Sequence, residues 1–137
     1  MTTQFVDLEI EVDKFLVDKG ITETIYFQKF AEDADNTKTL IMISSDAIGP
    51  AIPVDVPIDA HRIKITVRDP HPKVALDKSI EILNLIHGAT PGKFHPTSAL
   101  SLISALVDER PQRTDNTEQD IPQFIAFYLF RVKPLVN

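Results

Sequence analysis

The chain of 137 residues has no cysteine, which removes disulfide frameworks, thiolate metal sites and cysteine nucleophiles together and suits a reducing compartment. Glycine is scarce. Its four occurrences, at 20, 49, 88 and 92, allow neither a phosphate-binding P-loop nor a dinucleotide fingerprint to be written. Positive charge is in deficit: 14 Lys and Arg against 20 Asp and Glu give a formal net charge of -6, which counts against a surface that grips phosphates with clustered bases. No run approaches the ~20 apolar residues needed to span a bilayer. The opening "MTTQFVDLEIEVDKF" carries acids where a signal peptide requires a basic start and an apolar block, so no targeting sequence and a water-soluble protein are expected.

What remains has the composition of a folded domain, 43% hydrophobic and 25% charged. A chain of this length buries roughly two-thirds of its unfolded surface around one core, so residues 1–137 are read as a single domain.

Phe5, Leu8, Val12, Phe15 and Leu16 recur at spacings of three and four, which predicts an amphipathic helix ending at Gly20. "TIYFQKF" and "TKTLIMISS" read as strands at about 24–30 and 38–45, joined across the acidic turn "AEDADN" as a hairpin or near neighbours. Three prolines in "DAIGPAIPVDVPIDA", 46–60, exclude a central strand or helix. Its residues Ile48, Ile52, Val54, Val56 and Ile58 are too apolar for a loop that only faces water. "HRIKITVR", 61–68, alternates strictly, with Ile63, Ile65 and Val67 on one side. A helix follows over 72–87, with Ala75, Leu76, Ile80, Ile82, Leu83 and Ile86 as its stripe and Gly88 after His87 at its end. "ATPGKFHPT" reads as loop, 99–107 as a strand, "RPQRTDNTEQDIPQ" as a mobile excursion, and "FIAFYLFRVK" as a mid-sheet strand apolar on both faces.

This order predicts an α+β fold: a mostly antiparallel four- to five-stranded sheet with two main helices packed on one face. Two helices leave the other face without cover, and an oligomer would supply it. Phe127 and Leu129 on the last strand thus join Ile48, Ile52, Val54 and Val56 as candidate subunit or partner interface residues.

The densest chemistry lies in "VRDPHPKVALDKS", where Arg68, Asp69 and His71 stand together. An Asp beside a His could orient a general base, which makes a small enzyme or ligand-binding domain one reading. Prolines after Asp69 and His71 favour extended backbone at both, however, and Pro72 suits a first helical turn, so the segment reads better as a rigid strand-to-helix corner capped by Asp69 or His71. His61, His71, His87 and His95 do not fall at zinc-motif spacings, and His87 suits the last turn of its helix. No serine sits in a nucleophile elbow. The acids of "DLEIEVD" and "AEDAD" read as a solvated helix face and a turn. No catalytic residue, cofactor or metal is expected.

Taken in order over about residues 10–134, several blocks resemble the minor capsid or tail terminator proteins of long-tailed bacteriophages. They are Phe15, Leu16, Gly20 and Ile21; then Pro57, Ile65, Val67 and Arg68; then Ala75, Ile82, Leu85, Ile86, His87 and Gly88; and a final aromatic strand ending "FRVKP". The resemblance implies a non-enzymatic virion subunit, assembled in the host cytoplasm, that forms a hexameric ring at the head-proximal end of the tail tube. It would stop tube polymerisation and join the tail to head-completion or connector proteins, with genomic DNA passing through unbound. A head-side neck or connector protein is the alternative within the same particle. The loops 46–60 and 110–123 depart from the family pattern and are expected to be partner-specific.

Overall fold

In the computed structural model, which describes residues 5–45, 51–53, 59–114 and 121–135, the chain runs β1 (Phe5–Asp7), α1 (Leu8–Asp18), β2 (Thr24–Phe27), β3 (Leu40–Ser45), β4 (Ala51–Pro53), β5 (Asp59–Arg68), α2 (Pro72–Ile86), β6 (Gly92–Lys93), β7 (Leu100–Thr114) and β8 (Gln123–Pro134). The first helix is shorter than its repeat suggests. Asp7 caps it by accepting hydrogen bonds from the backbone N–H groups of Glu9 and Ile10, which leaves Phe5 in a strand paired with β4. At the other end Gly20, at φ 104, lets its own N–H reach the Val17 carbonyl while the Ile21 N–H reaches that of Leu16. This turn returns Ile21 to the core beside Leu16.

The main sheet has six strands in the order β2-β3-β5-β8-β7-β6, and β1 and β4 form a separate pair. The α+β class and the antiparallel majority agree with the sequence, but the sheet is wider than expected and mixed. β2 and β3 lie parallel, with Thr24 opposite Leu40 and Phe27 opposite Ile43, and are not a hairpin. A parallel pair requires the connection to cross back over the sheet, so residues 28–39 are a crossover rather than a turn. β5, β8 and β7 form the antiparallel centre, with β8 mid-sheet as its double-faced apolar pattern requires.

Alternation then sorts the side chains. Ile41 and Ile43, Ile63, Ile65 and Val67, and Phe124, Ala126, Tyr128, Phe130 and Val132 point to one face, where they form a single core cluster with Leu8, Val12, Phe15 and Leu16 of α1 and Ala75, Ile82 and Ile86 of α2. Both helices therefore cover the same face, α2 over β5, β7 and β8 and α1 against β3. Ile80 leaves the expected stripe: it is exposed, and Ser79 takes the buried position. The second helix ends at Ile86, with Gly88 at φ 74 and its N–H donated to the Ala105 carbonyl. His87 Nδ1 accepts the Val107 N–H at 3.0 Å, so its ring fastens the helix end to β7 in addition to standing at the carbonyl terminus.

β7 extends well past the predicted 107, into the stretch expected to be a mobile excursion. Pro111 is tolerated because the ladder shifts register between Glu109 and Gln112, where no N–H is demanded of it. No helix among the described residues is long and apolar enough to cross a membrane.

Candidate interaction face and strand-to-helix corner

The sheet face away from the helices carries Met42 and Ser44 from β3, Arg62, Lys64, Thr66 and Arg68 from β5, Ile125, Phe127, Leu129 and Arg131 from β8, and Leu106 and Glu109 from β7. One end of it is covered by the crossover. Phe30 lies under Arg68, with the guanidinium carbon 4.1 Å from the ring centroid, and meets Tyr26 edge-on at 5.7 Å. Beneath this end Thr66 and Leu40 are buried although they sit on the outer face. The same cover withdraws Arg68 from water and lowers its pKa through desolvation.

Among the described residues, the rest of the face is covered by no helix and is partly to fully exposed. Leu129 pairs with Arg62 on one side and with Leu106, 46% exposed, on the other. Phe127, opposite Lys64 and Glu109, carries the Arg62 guanidinium 3.9 Å above its ring, and that guanidinium is held by Asp108 at 2.8 Å and Glu109 at 3.1 Å. A cation held on an aromatic ring by two carboxylates forms a flat, ordered plate. Of the interface residues read from sequence, Phe127 and Leu129 thus share one surface. Ile52 lies in β4 of the separate two-stranded sheet, so it is not joined to them by strand pairing, and Ile48, Val54 and Val56 fall outside the described residues.

The corner after β5 is a turn with a defined lock. Asp69, buried, accepts the His71 N–H at 2.7 Å on one carboxylate oxygen and the Thr39 hydroxyl on the other, while its own N–H reaches the Pro122 carbonyl. His71 occupies the N-cap position of α2 without a side-chain cap bond, its ring exposed, and Pro72 opens the helix. Asp69 therefore acts two residues upstream of the cap, as an Asx turn, and binds the backbone of His71 rather than its imidazole.

The sequence reading placed the acids of "DLEIEVD" in solvent, and two of them are in the interior. Glu9 is 2% exposed and Glu11 6%. Glu9 accepts from the Gln28 amide and from Ser45 at 3.1 Å, and burial raises its pKa against the opposing Ser45 hydrogen bond. Gln28 is held at φ 70, a conformation uncommon outside glycine, where β2 ends. Glu11 binds His95 Nε2 at 2.8 Å and the Ser98 hydroxyl at 2.5 Å, tying α1 to the segment between β6 and β7. The signal was present: Glu11 lies three residues after Leu8 and four before Phe15, on the buried stripe itself.

Glu11, His95 and Thr97 follow one another as acid, imidazole and hydroxyl, with Thr97 Oγ1 3.4 Å from His95 Nδ1. The Thr97 backbone N–H reaches the same nitrogen, also at 3.4 Å, which fits a ring that donates from Nε2 to Glu11 and accepts at Nδ1. The ring nitrogens are thereby engaged in fixing the 95–98 turn, closed by Ser98 N–H to the His95 carbonyl. Neighbouring Phe94 meets Phe15 edge-on at 5.6 Å and stacks on Phe130 at 5.8 Å, so the same turn is anchored by aromatic packing. No group of three or more metal-ligating side chains converges among the described residues. No protein-family model and no curated protein matches the chain.

Proposed function

We propose that this chain is a non-enzymatic structural subunit of a long-tailed bacteriophage particle. In this reading it forms a ring, hexameric by the resemblance of its ordered blocks to tail terminators, at the head-proximal end of the tail tube. There it ends tube polymerisation and presents a surface to the head-completion or connector protein, and the genome passes through without specific contacts. It is assembled in the host cytoplasm and stays in the virion.

The observation that carries the reading is the half-covered sheet. Among the described residues two helices serve one face only, and on the other Leu106 is exposed and Leu129 and the plate of Arg62 on Phe127 are partly exposed beside the crossover. Ordered apolar and guanidinium surface of this kind is the usual centre of a protein interface. The hydrogen bonds of Asp69 and His95, spent within the fold on Thr39, the His71 backbone, Glu11 and Thr97, favour structural roles for the residues that most resembled chemistry.

Mass photometry of the purified protein, alone and with tail tubes, tests it. A ring-sized species or tube-bound protein is expected; a monomer that never binds tubes contradicts the reading.

A further inference from the structure

The edge of β7 turned away from β8 is covered by different devices in succession among the described residues. Phe94 donates its N–H to the Leu100 carbonyl, and β6 pairs with Ser101 and Leu102. Then the end of α2 takes over: the Gly88 N–H reaches the Ala105 carbonyl at 2.8 Å, and His87 Nδ1 accepts the Val107 N–H at 3.0 Å. An adjoining strand would supply the same partners, a donor for Ala105 and an acceptor for Val107. Farther on stands Pro111, which has no N–H to leave unpaired. Of these covers, the one at Val107 alone hangs on a titratable side chain.

A backbone N–H donates and cannot accept, so the bond from Val107 requires a lone pair on Nδ1 and places the ring proton on Nε2. Protonation fills that lone pair. Two N–H groups then face each other, and the bond is lost. The ring is exposed at the C-cap of α2 and lines a cavity of about 510 Å³, so solvent protons reach it. An imidazolium turned away from Val107 still stands at the carbonyl end of α2, where a cation is favoured. The charged and titratable groups on the same cavity are Asp18 and Lys19 from α1, Lys93 from β6 and His95 from the turn that follows it. On β7, Asp108 next to Val107 is engaged by Arg62; on α2, residues 83–86 carry no charge, and Lys78 and Glu81 pair with each other. None of these groups is hydrogen-bonded or ion-paired to His87, so the Val107 N–H is what its Nδ1 answers to.

We infer that His87 is a proton-operated clasp on the edge of β7: neutral, it holds the end of α2 on Val107; protonated, it lets go and uncovers that edge. The opening is local, because Ala75, Ile82 and Ile86 keep the body of α2 in the core. It falls in the range, between about pH 8 and 5, over which histidine ordinarily gains its proton. The clasp stands on its own geometry and does not depend on the virion role proposed above.

Amide hydrogen exchange followed by NMR on the isotopically labelled chain tests it, with protection corrected for the intrinsic pH dependence of exchange and referred to Ile65, which is paired on both sides in the middle of the sheet. Between about pH 8 and 5, protection of Val107 should fall about fivefold relative to Ile65, the worth of one hydrogen bond, and that of Gly88 should fall with it. His87→Asn offers an amide oxygen near the place of Nδ1 and takes up no proton, so Val107 should stay protected at both ends of the range. His87→Ala should lose the protection at both. A fall that persists unchanged in His87→Asn overturns the proposal, since Asp18 or His95 would then be the group that titrates. Equal protection of wild-type Val107 at the two ends overturns it as well. Long-range proton–nitrogen spectra of the ring supply a readout that needs no variant. Nδ1 should be unprotonated at the alkaline end and gain its proton in step with the movement of the Val107 amide resonance; a ring protonated on Nδ1 throughout overturns the clasp.

Discussion

Glu11 and His95, 84 positions apart in sequence, meet at 2.8 Å in the interior, and the bond joins the middle of α1 to the turn that leads into β7. Both side chains are almost fully enclosed. Such a pair is costly to break and cheap to replace, since removing one partner strands the other without water.

Glu11→Ala should therefore cost about 3 kcal/mol, a large share of the stability of a domain this size. The double change Glu11→Leu, His95→Phe should recover most of it. Urea unfolding of the three proteins measures both, and a double variant no more stable than Glu11→Ala would show that the pair contributes more than mutual satisfaction.

Glu9 gives the opposite pH signature from most carboxylates. Its folded pKa is raised above the ordinary 4.5 by burial, so between those two values the native state holds a proton that the unfolded chain has released. Stability from this group is present below about 4.5 and is lost as pH rises through the folded pKa. Glu9→Gln keeps an acceptor for Gln28 and Ser45 without the ionisation. Its stability relative to wild type should thus improve as pH rises from 4 to 7, followed by thermal melts across that range; a constant difference would contradict the assignment.

Glu23 and Lys78 supply the usual sign. Burial opposes ionisation of Glu23, but the Lys78 ammonium at 3.0 Å and backbone N–H groups outweigh it and lower the pKa. The pair links the entry to β2 with α2, and it contributes stability above the unfolded pKa that fades as pH falls through the lowered value. Lys78→Met should cost about 1 kcal/mol at neutral pH and much less at pH 3, by denaturant titration at both. An equal loss at the two pH values would mean that packing of the lysine stem, not its charge, is what matters.

At the corner the two residues separate cleanly. Asp69→Ala removes the partner of the His71 N–H and of Thr39 and should destabilise by roughly 2 kcal/mol. His71→Ala touches an exposed ring and should stay within about 0.5 kcal/mol, with assembly intact. Loss of a function in His71→Ala without loss of stability would revive the reading of Asp69 and His71 as a reactive pair.

The elements legible in the sequence are those whose period is unbroken over their whole length: α2, β5 and β8. Where local and tertiary signals compete, local pattern misleads. The repeat through Phe5 continued helical spacing, but the Asp7 cap and the pairing with β4 overrode it. "TIYFQKF" and "TLIMISS" hold strands, yet nothing in their composition distinguishes a hairpin from a parallel crossover, because the direction depends on where residues 28–39 find cover, with Phe30 against Arg68. The polar, proline-broken stretch from Arg110 favours a strand ending near 107, because the register shift that excuses Pro111 cannot be seen locally. Glu9 and Glu11 were hidden by their charge. The outer-face pair Phe127 and Leu129 was visible from alternation, but the Arg62 plate that covers Phe127 depends on Asp108 and Glu109 arriving from β7.

Tube capping, the function proposed for this chain, is read by a seeded elongation assay. Purified tail tubes incubated with the protein and then supplied with fresh tube subunits should keep their length, with protein seen by negative stain at one end only. Tubes that lengthen as fast with the protein as without it would contradict the account.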